Sequence, residues 1–335
     1  MEILSRETHK SSFQNIRPYN VIKDLGKVAD LVEVCFANTL DADSKRYLNH
    51  MQNVAKDKIS LRWARFIPEL ANLPLTGFVW EEDGELVGNI TLIPYYVKGK
   101  RFFLIANVAV HPEFRRRRIA HLLTLHAMEY IKQQGVSSVW LHARDENPHA
   151  INLYSRLGFS KHTRRTSWIS DNDGKIIQIQ NKNHIGSLKK QHWNSQRKWI
   201  IANYPPELSW YMPLNIHNLN PDIFGFVYRI LMNNHVVQWG YFQNNQLLGA
   251  VSWQESSNFA NNLWLAVPPN SDESVVTQLL IHARYYAPSS RPMKLNFQSD
   301  QYAEAIQQAG FSKQQTLIWM SYTFPPKKTS SKTWK

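Results

Sequence analysis

Four consecutive arginines, Arg115, Arg116, Arg117 and Arg118, lie between an apolar segment and a run with helical spacing. The stretch reads Asn107-Val-Ala-Val-His-Pro-Glu-Phe-Arg-Arg-Arg-Arg-Ile-Ala120. Adjacent cations repel one another unless an anion is close. A helix start adds unpaired N–H groups and the positive end of the helix dipole. Together they suit a phosphate or a pyrophosphate. A solvated basic turn is the plainer alternative. About thirty residues on comes Asn147-Pro-His-Ala-Ile-Asn-Leu-Tyr-Ser-Arg-Leu-Gly-Phe159. Asn147 suits a helix cap, Pro148 a first turn and Gly158 a helix stop.

The elements that must position these residues follow from periodicity. Leu25, Val28, Ala29, Leu31, Val32 and Cys35 form a helical stripe, and Asp41 caps a second helix running to about Lys56. The period then changes to strands. Residues 77–81 and 85–93 flank Asp83-Gly84, a strong hairpin turn. Lys98-Gly99-Lys100 is a further turn, and residues 102–110 form a nearly all-apolar strand, as expected with both faces covered. Ile119, Leu122, Leu123, Ala127, Tyr130 and Ile131 share one helical face, and Gly135 ends that helix. Strands over 136–144 and 159–169 bracket the helix that starts at Asn147-Pro148. This alternation predicts an α/β (α+β) fold with a mixed sheet.

The chain has 335 residues, 43% of them hydrophobic, with 12 Trp, 14 Tyr and 15 Phe. That excludes a disordered or collagen-like chain. No apolar run nears the roughly 18–20 residues of a membrane span. The N-terminus lacks a signal-peptide apolar region, and a lone cysteine, Cys35, permits no internal disulfide, so a cytoplasmic protein is expected. Cys35 reads as a buried structural thiol. The net charge is +13, with 24 basic and 17 acidic residues up to position 170 and 15 and 9 beyond it, so the excess is not a tail. Such a field attracts nucleic acid, anionic cofactors or acidic partners without choosing among them. The thirteen histidines form no metal-ligand cluster, so no metal is expected.

The expected organisation is a flexible N-terminus (1–14), a first domain (15–170), a basic connector (171–204), a second domain (205–324) and a basic tail (325–335). The connector's Trp193 and Trp199 among basic residues could contact RNA; packing onto a domain is favoured. A domain-scale repeat supports two copies. Leu86-Val-Gly88 answers to Leu247-Leu-Gly249, Val110 to Val267, Gly158-Phe-Ser160 to Gly310-Phe-Ser312, and Trp168 to Trp319.

The segments 110–120 and 147–159 resemble the two signatures of the GNAT superfamily of N-acetyltransferases. The first is similar to the loop Val-x-Pro-x-aromatic-Arg-x-x-Gly-x-Gly/Ala, the second to Asn-x-x-Ala-x-x-Leu-Tyr-x-x-x-Gly-Phe. The resemblance is good over 15–170 and faint over 205–325. It implies a GNAT-like acyl-CoA acyltransferase fold in two tandem copies, the second degenerate, and acetyl-CoA as acyl donor. Val108 and Val110, with Ala109 between them, would offer backbone groups to the pantetheine arm and thioester. An N–H near Val108 would face the developing oxyanion. Backbone N–H groups from Arg115, Arg116, Arg117, Arg118, Ile119 and Ala120 would cradle the pyrophosphate. Asn147 would hold the cofactor or cap its helix. Tyr154 would be the general acid, since a phenol of pKa about 10 can return a proton to a thiolate of pKa about 8.5.

Two departures stand out. Arg118 occupies the motif's first glycine; if that position needs φ > 0, arginine is strained there. Asn107 stands where many relatives carry a carboxylate, so no general base is named. His111 and His142 suit the chemistry and read as structural. In the second copy Asp272 and Glu273 meet Arg115 and Arg116, Ile306 meets Tyr154, and Ser299 meets Asn147, so that copy is expected to be a scaffold. The leading expectation is an N-acetyltransferase acting on an unidentified primary amine. The competing ones are an acyl-CoA-binding sensor or adaptor and a nucleic-acid-associated module.

Overall fold

The computed structural model describes residues 13–57, 76–97, 99–170 and 184–325. The expectations for residues 1–12, 171–183 and 326–335 lie outside these. Packing divides the chain into two compact units. The first comprises residues up to Ala143, Asn147–His162 and Trp319 onward; the second comprises Arg144–Glu146 and Thr163–Ile318.

The first unit begins with β1 (Ile16–Pro18) and α1 (Val21–Phe36). Asn20 caps α1 by accepting from the Ile22 and Lys23 N–H groups. Asp41 caps α2 (Ala42–Lys56) through the Ser44 N–H. The hairpin of β2 (Gly77–Glu82) and β3 (Glu85–Val97) turns at Asp83 (φ 51°) and Gly84 (φ 82°), as Asp-Gly requires. There follow β4 (Lys100–Val110), α3 (Ile119–Gln133), β5 (Ser138–Arg144), α4 (Pro148–Arg156) and β6 (Ser160–Ser170). The stripe Leu25, Val28, Ala29, Leu31 and Val32 is buried with Leu48, Met51, Val79 and Ala109. Each fully buried aliphatic side chain there contributes about 1.5–3 kcal/mol.

The second unit repeats this plan. It contains β7 (Ile185–Ser187), α5 (Trp193–Asn203), α6 (Ile223–Leu231), β8 (Val236–Gln243), β9 (Gln246–Gln254), β10 (Asn261–Ala266), α7 (Glu273–Tyr286), β11 (Met293–Gln298), α8 (Ala303–Gln308) and β12 (Phe311–Thr323). The described part of the expected connector is therefore not a linker. Its β7 pairs with β8, and Ile200 of α5 is buried.

The copies match in detail. Both β-hairpins are bulged near their turns, at Trp80/Glu81 and Tyr241/Phe242. A Cβ on Gly88 would lie 3.0 Å from Ile119 and 3.1 Å from Leu123, and one on Gly249 would lie 3.1 Å from Leu279 and 3.2 Å from Val275. Thus each repeated glycine lets its helix close onto the hairpin. One turn further, His126 packs edge-on to Phe78 at 4.5 Å, and His282 packs edge-on to Trp239 at 5.5 Å.

A break at residue 170 must nonetheless be redrawn. The strand order is β1-β2-β3-β4-β5-β12-β6 in the first unit and β12-β6-β11-β10-β9-β8-β7 in the second. β5 takes β12 as its neighbour, and β11 pairs antiparallel with β6, Leu295 facing Trp168. Each copy's closing strand thus lies beside the other copy's fifth strand. Residues 163–170 belong with the second unit and 319–323 with the first. An alternating strand pattern specifies a face and not a partner, which is why the sequence suggested a linear division.

Candidate active site

The site is built where two parallel strands part. β4 and β5 pair only from Phe103–Val139 to Ile105–Leu141, although β4 continues to Val110 and β5 to Arg144. Pairing of β4 with β3 passes from Ala109–Asn89 to Ala106–Thr91, so Ile90 alone faces both Asn107 and Val108. This is a β-bulge, and Asn107 takes the left-handed conformation in it (φ 49°). The buried Asn89 donates through Nδ2 to the Asn107 carbonyl at 2.9 Å. The His111 N–H donates to Val87 on β3. Strand groups alternate, so the Val110 N–H points the other way, toward the opening left by β5.

The loop after β4 has a strained backbone. Arg116 and Arg118 have φ of 66° and 62°. The glycine-like requirement at Arg118 is therefore real, and Arg116 shares it; each costs about 1–2 kcal/mol relative to glycine. Arg118 occupies the N-cap of α3, and no side chain caps that helix. The first N–H groups of α3, at Ile119, Ala120 and His121, are left for an outside acceptor. All four arginines are exposed. Arg115 donates through Nε to the Val110 carbonyl at 3.2 Å. Arg117 pairs with Glu82 at 2.5 Å and lies 5.3 Å from the Phe114 ring centroid. Arg116 and Arg118 have no ion-pair partner among the described residues. Strain, an open helix end and cations without an ion-pair partner among the described residues give this turn the chemistry that suits an anion.

α4 forms the other wall. Asn147 Oδ1 accepts from the Ala150 N–H at 3.0 Å, so Asn147 caps this helix. The helix closes with Phe159 N–H on the Tyr154 carbonyl, Gly158 N–H on Ser155, and Gly158 at φ 89°. Tyr154 is buried, its ring 5.9 Å from Phe159. Burial pushes its hydroxyl pKa well above the ordinary tyrosine value.

The sequence reading missed several residues. Asn89 was one polar position in an apolar strand, and a buried amide there is a signal for a backbone partner. Cys35 is half-buried and not sealed in the core. It sits at the end of α1, with Sγ donating to the Val110 carbonyl at 3.2 Å. Burial raises its pKa, and Arg115 opposes that. Glu81 pairs with Arg17 at 2.6 Å, so this carboxylate and Glu82 are both engaged. His111 packs against Phe114, and His142 against Trp319 at 4.9 Å. In the second unit Asp272 caps α7 through the Ser274 N–H, and Ile306 is buried. Tyr302 precedes helix α8 at its N-cap position and makes no side-chain cap hydrogen bond. Among the described residues no group of three or more His, Cys, Asp or Glu is placed to hold a metal, and no helix is long and apolar enough to cross a membrane.

A parted β4–β5 pair, a bulge and an uncapped helix start after β4 lie together on a mixed sheet. Residues 42–159 match the acetyltransferase (GNAT) family. The chain is 35% identical over 69 residues to the [ribosomal protein bS18]-alanine N-acetyltransferase of Escherichia coli K12, covering 21% of this chain and 47% of that one. It is 31% identical over 78 residues to the streptothricin acetyltransferase of Streptomyces lavendulae, covering 23% and 40%. The chain thus spans about half or less of these relatives' length. Its fold is similar to a GCN5-related N-acetyltransferase from Sphaerobacter thermophilus, with a TM-score of 0.58, 14% identity and coverage of 93% of this chain and 97% of that one.

Proposed function

We propose that the first unit transfers an acetyl group from acetyl-CoA to a primary amine. The observation that carries this reading is the uncapped start of α3 beside Arg116 and Arg118, next to a strand whose Val108–Val110 backbone borders an opening. Backbone N–H groups from Arg116 to Ala120 bind the pyrophosphate, and the arginine side chains add charge. Val110 and the bulged Val108 offer backbone groups to the pantetheine arm and the thioester. The amine nitrogen attacks the carbonyl carbon, and the N–H at the bulge stabilises the resulting oxyanion, worth about 2.7–4 kcal/mol per donor. The C–S bond then breaks, Tyr154 gives its proton to the departing sulfur, the former amine nitrogen loses a proton to solvent to become the amide, and Tyr154 is reprotonated from solvent. Its raised pKa keeps that proton in place before reaction.

An alkylammonium near pH 7 must shed a proton at about 4–5 kcal/mol. Glu81 and Glu82 are both ion-paired, so solvent receives that proton. One named relative acts on the nitrogen of an alanine of a ribosomal protein, and the other acts on streptothricin. A primary amine, free or on a protein, is the acceptor class carried over here. The two engaged carboxylates favour one second reading, an acyl-CoA-binding sensor without turnover.

Calorimetry with acetyl-CoA tests binding on wild type and on Arg115→Glu/Arg117→Glu. Micromolar affinity that the variant loses supports the site; equal affinity rejects it. Release of thiol in the presence of an amine panel separates the enzyme from the sensor.

A further inference from the structure

The second unit contains the same strand opening as the first. β10 and β11 pair from Asn261–Met293 to Leu263–Leu295 and no further, although β10 runs to Ala266 and β11 to Gln298. Its β9–β10 pairing is regular through Ala266, so the bulge is absent. Val267 follows β10 as the counterpart of Val110, and Leu265 is the counterpart of Val108. In this unit those two N–H groups are taken. Val267 donates to the Asn203 Oδ1 at 2.9 Å, and Leu265 donates to the Tyr204 hydroxyl at 3.0 Å.

The acceptors come from the end of α5. The Tyr204 ring stands between the diverging strands, 5.4 Å from Trp264 on β10 and 6.2 Å from Phe297 on β11. Asn203 and Tyr204 are both buried. Arg165, 1% exposed, fixes them from β6. It donates to the Asn203 carbonyl at 2.9 Å, to Asn296 Oδ1 at 2.6 Å and to the Asn296 carbonyl at 2.9 Å. Its guanidinium lies 5.1 Å from the Tyr204 ring centroid. No carboxylate pairs with it among the described residues.

The first unit has a matching position with a different filling. β1 and β7 correspond, each pairing antiparallel with the first strand of its hairpin. α1 and α5 follow them, and each reaches the end of the fourth strand of its copy. There α1 offers Cys35, which meets the Val110 carbonyl and leaves its N–H alone; Phe36 follows it. α5 offers Asn203 and then Tyr204. An amide oxygen thus meets the residue after the fourth strand in the second unit, where a thiol meets the strand's last residue in the first.

We propose that the second unit holds a cofactor cleft of GNAT construction whose permanent occupant is the chain itself. Asn203 and Tyr204 take the backbone donors that a pantetheine amide and a thioester carbonyl would otherwise use. Arg165 is the positioning residue of this plug. The assignment rests on the acyl-CoA reading of the first unit for its meaning, and its contacts can be tested separately. It predicts one acyl-CoA per chain, with none in the second unit.

The test is amide hydrogen exchange by NMR on the full chain, with and without CoA. Wild type should protect Leu265 and Val267 with CoA absent, and CoA should leave both unchanged. Tyr204→Phe removes only the hydroxyl and should speed Leu265 exchange about tenfold, the equivalent of one hydrogen bond. Asn203→Leu should do the same at Val267, while Asn203→Asp, which keeps an acceptor oxygen, should preserve protection. Unchanged exchange in Tyr204→Phe would overturn the plug. So would two CoA molecules bound per wild-type chain. Wild type that binds no CoA, with exchange responding as stated, would instead reject the acyl-CoA reading of the first unit and leave the plug's contacts standing.

Discussion

Asn89 Nδ2 donates to the main-chain carbonyl of Asn107, 18 residues along the chain, and locks the β4 bulge. The same nitrogen lies 3.3 Å from Thr91 Oγ1. Replacing Asn89 with Leu removes both contacts and leaves a part-buried carbonyl unpaired, at about 1–3 kcal/mol. Chemical denaturation should show that loss. If the proposed mechanism holds, turnover should fall further than stability, since that mechanism uses the N–H at the bulge. Unaltered kcat in a folded Asn89→Leu protein would separate the bulge from catalysis.

Arg118 sits at φ 62° without a capping contact. Arg118→Gly relieves the left-handed strain and some charge repulsion, against the entropy that glycine adds to the unfolded chain. A gain of about 0.5–1 kcal/mol is expected, seen as a rise of roughly 2 °C in melting temperature. CoA affinity should drop only slightly, because the backbone N–H groups remain. A fall in melting temperature would show that the arginine side chain contributes more than its backbone conformation costs.

Glu82 holds Arg117 in a part-exposed ion pair. Such pairs are worth about 0.2–1 kcal/mol, so Glu82→Gln should barely alter folding. It should free Arg117 for a phosphate and remove a nearby negative charge. CoA should then bind about two- to fivefold more tightly at low salt, and the gain should shrink in high salt. Calorimetry at two ionic strengths reads both effects.

Tyr154→Phe should cut kcat by about a hundredfold, the lower range for a lost proton donor, and spare CoA binding. In wild type, kcat/KM should climb with pH as the acceptor amine approaches its pKa of about 10.4. The tyrosine imposes no alkaline fall below pH 10, because burial raises its pKa. The same shift affects stability. A raised folded-state pKa stabilises fully below the unfolded value of about 10 and is lost as pH rises through the folded value. Unfolding at pH 10–11 should therefore be less steep with pH in Tyr154→Phe than in wild type.

Much of the candidate site's backbone was legible because its signals are local. The run 107–120 carries strand, turn and helix start in fourteen residues, and the Asp83-Gly84 turn and the Asp41 and Asn147 caps depend on neighbours only. What escaped was non-local. Asn89 and Asn107 meet across a strand pair, Cys35 meets Val110 across 75 positions, and Asn203 reaches Val267 across 64. Hydrophobic periodicity carries no information about such pairs. The repeat was visible through Gly88 and Gly249, yet the exchange of β6 and β12 was not, since both strands keep their alternation in either arrangement.

That exchange also sets an order of events. β5 gains its β12 neighbour only when residues 319–323 have been made. On a ribosome, β1 to β5 emerge first, and β5 stays open on one side until residues 319–323 follow. Nascent chains stalled before Trp319 would present an unpaired strand edge, the surface that invites mispairing. β12 is therefore the strand that completes the first unit's sheet, long after its neighbour β5 has been made.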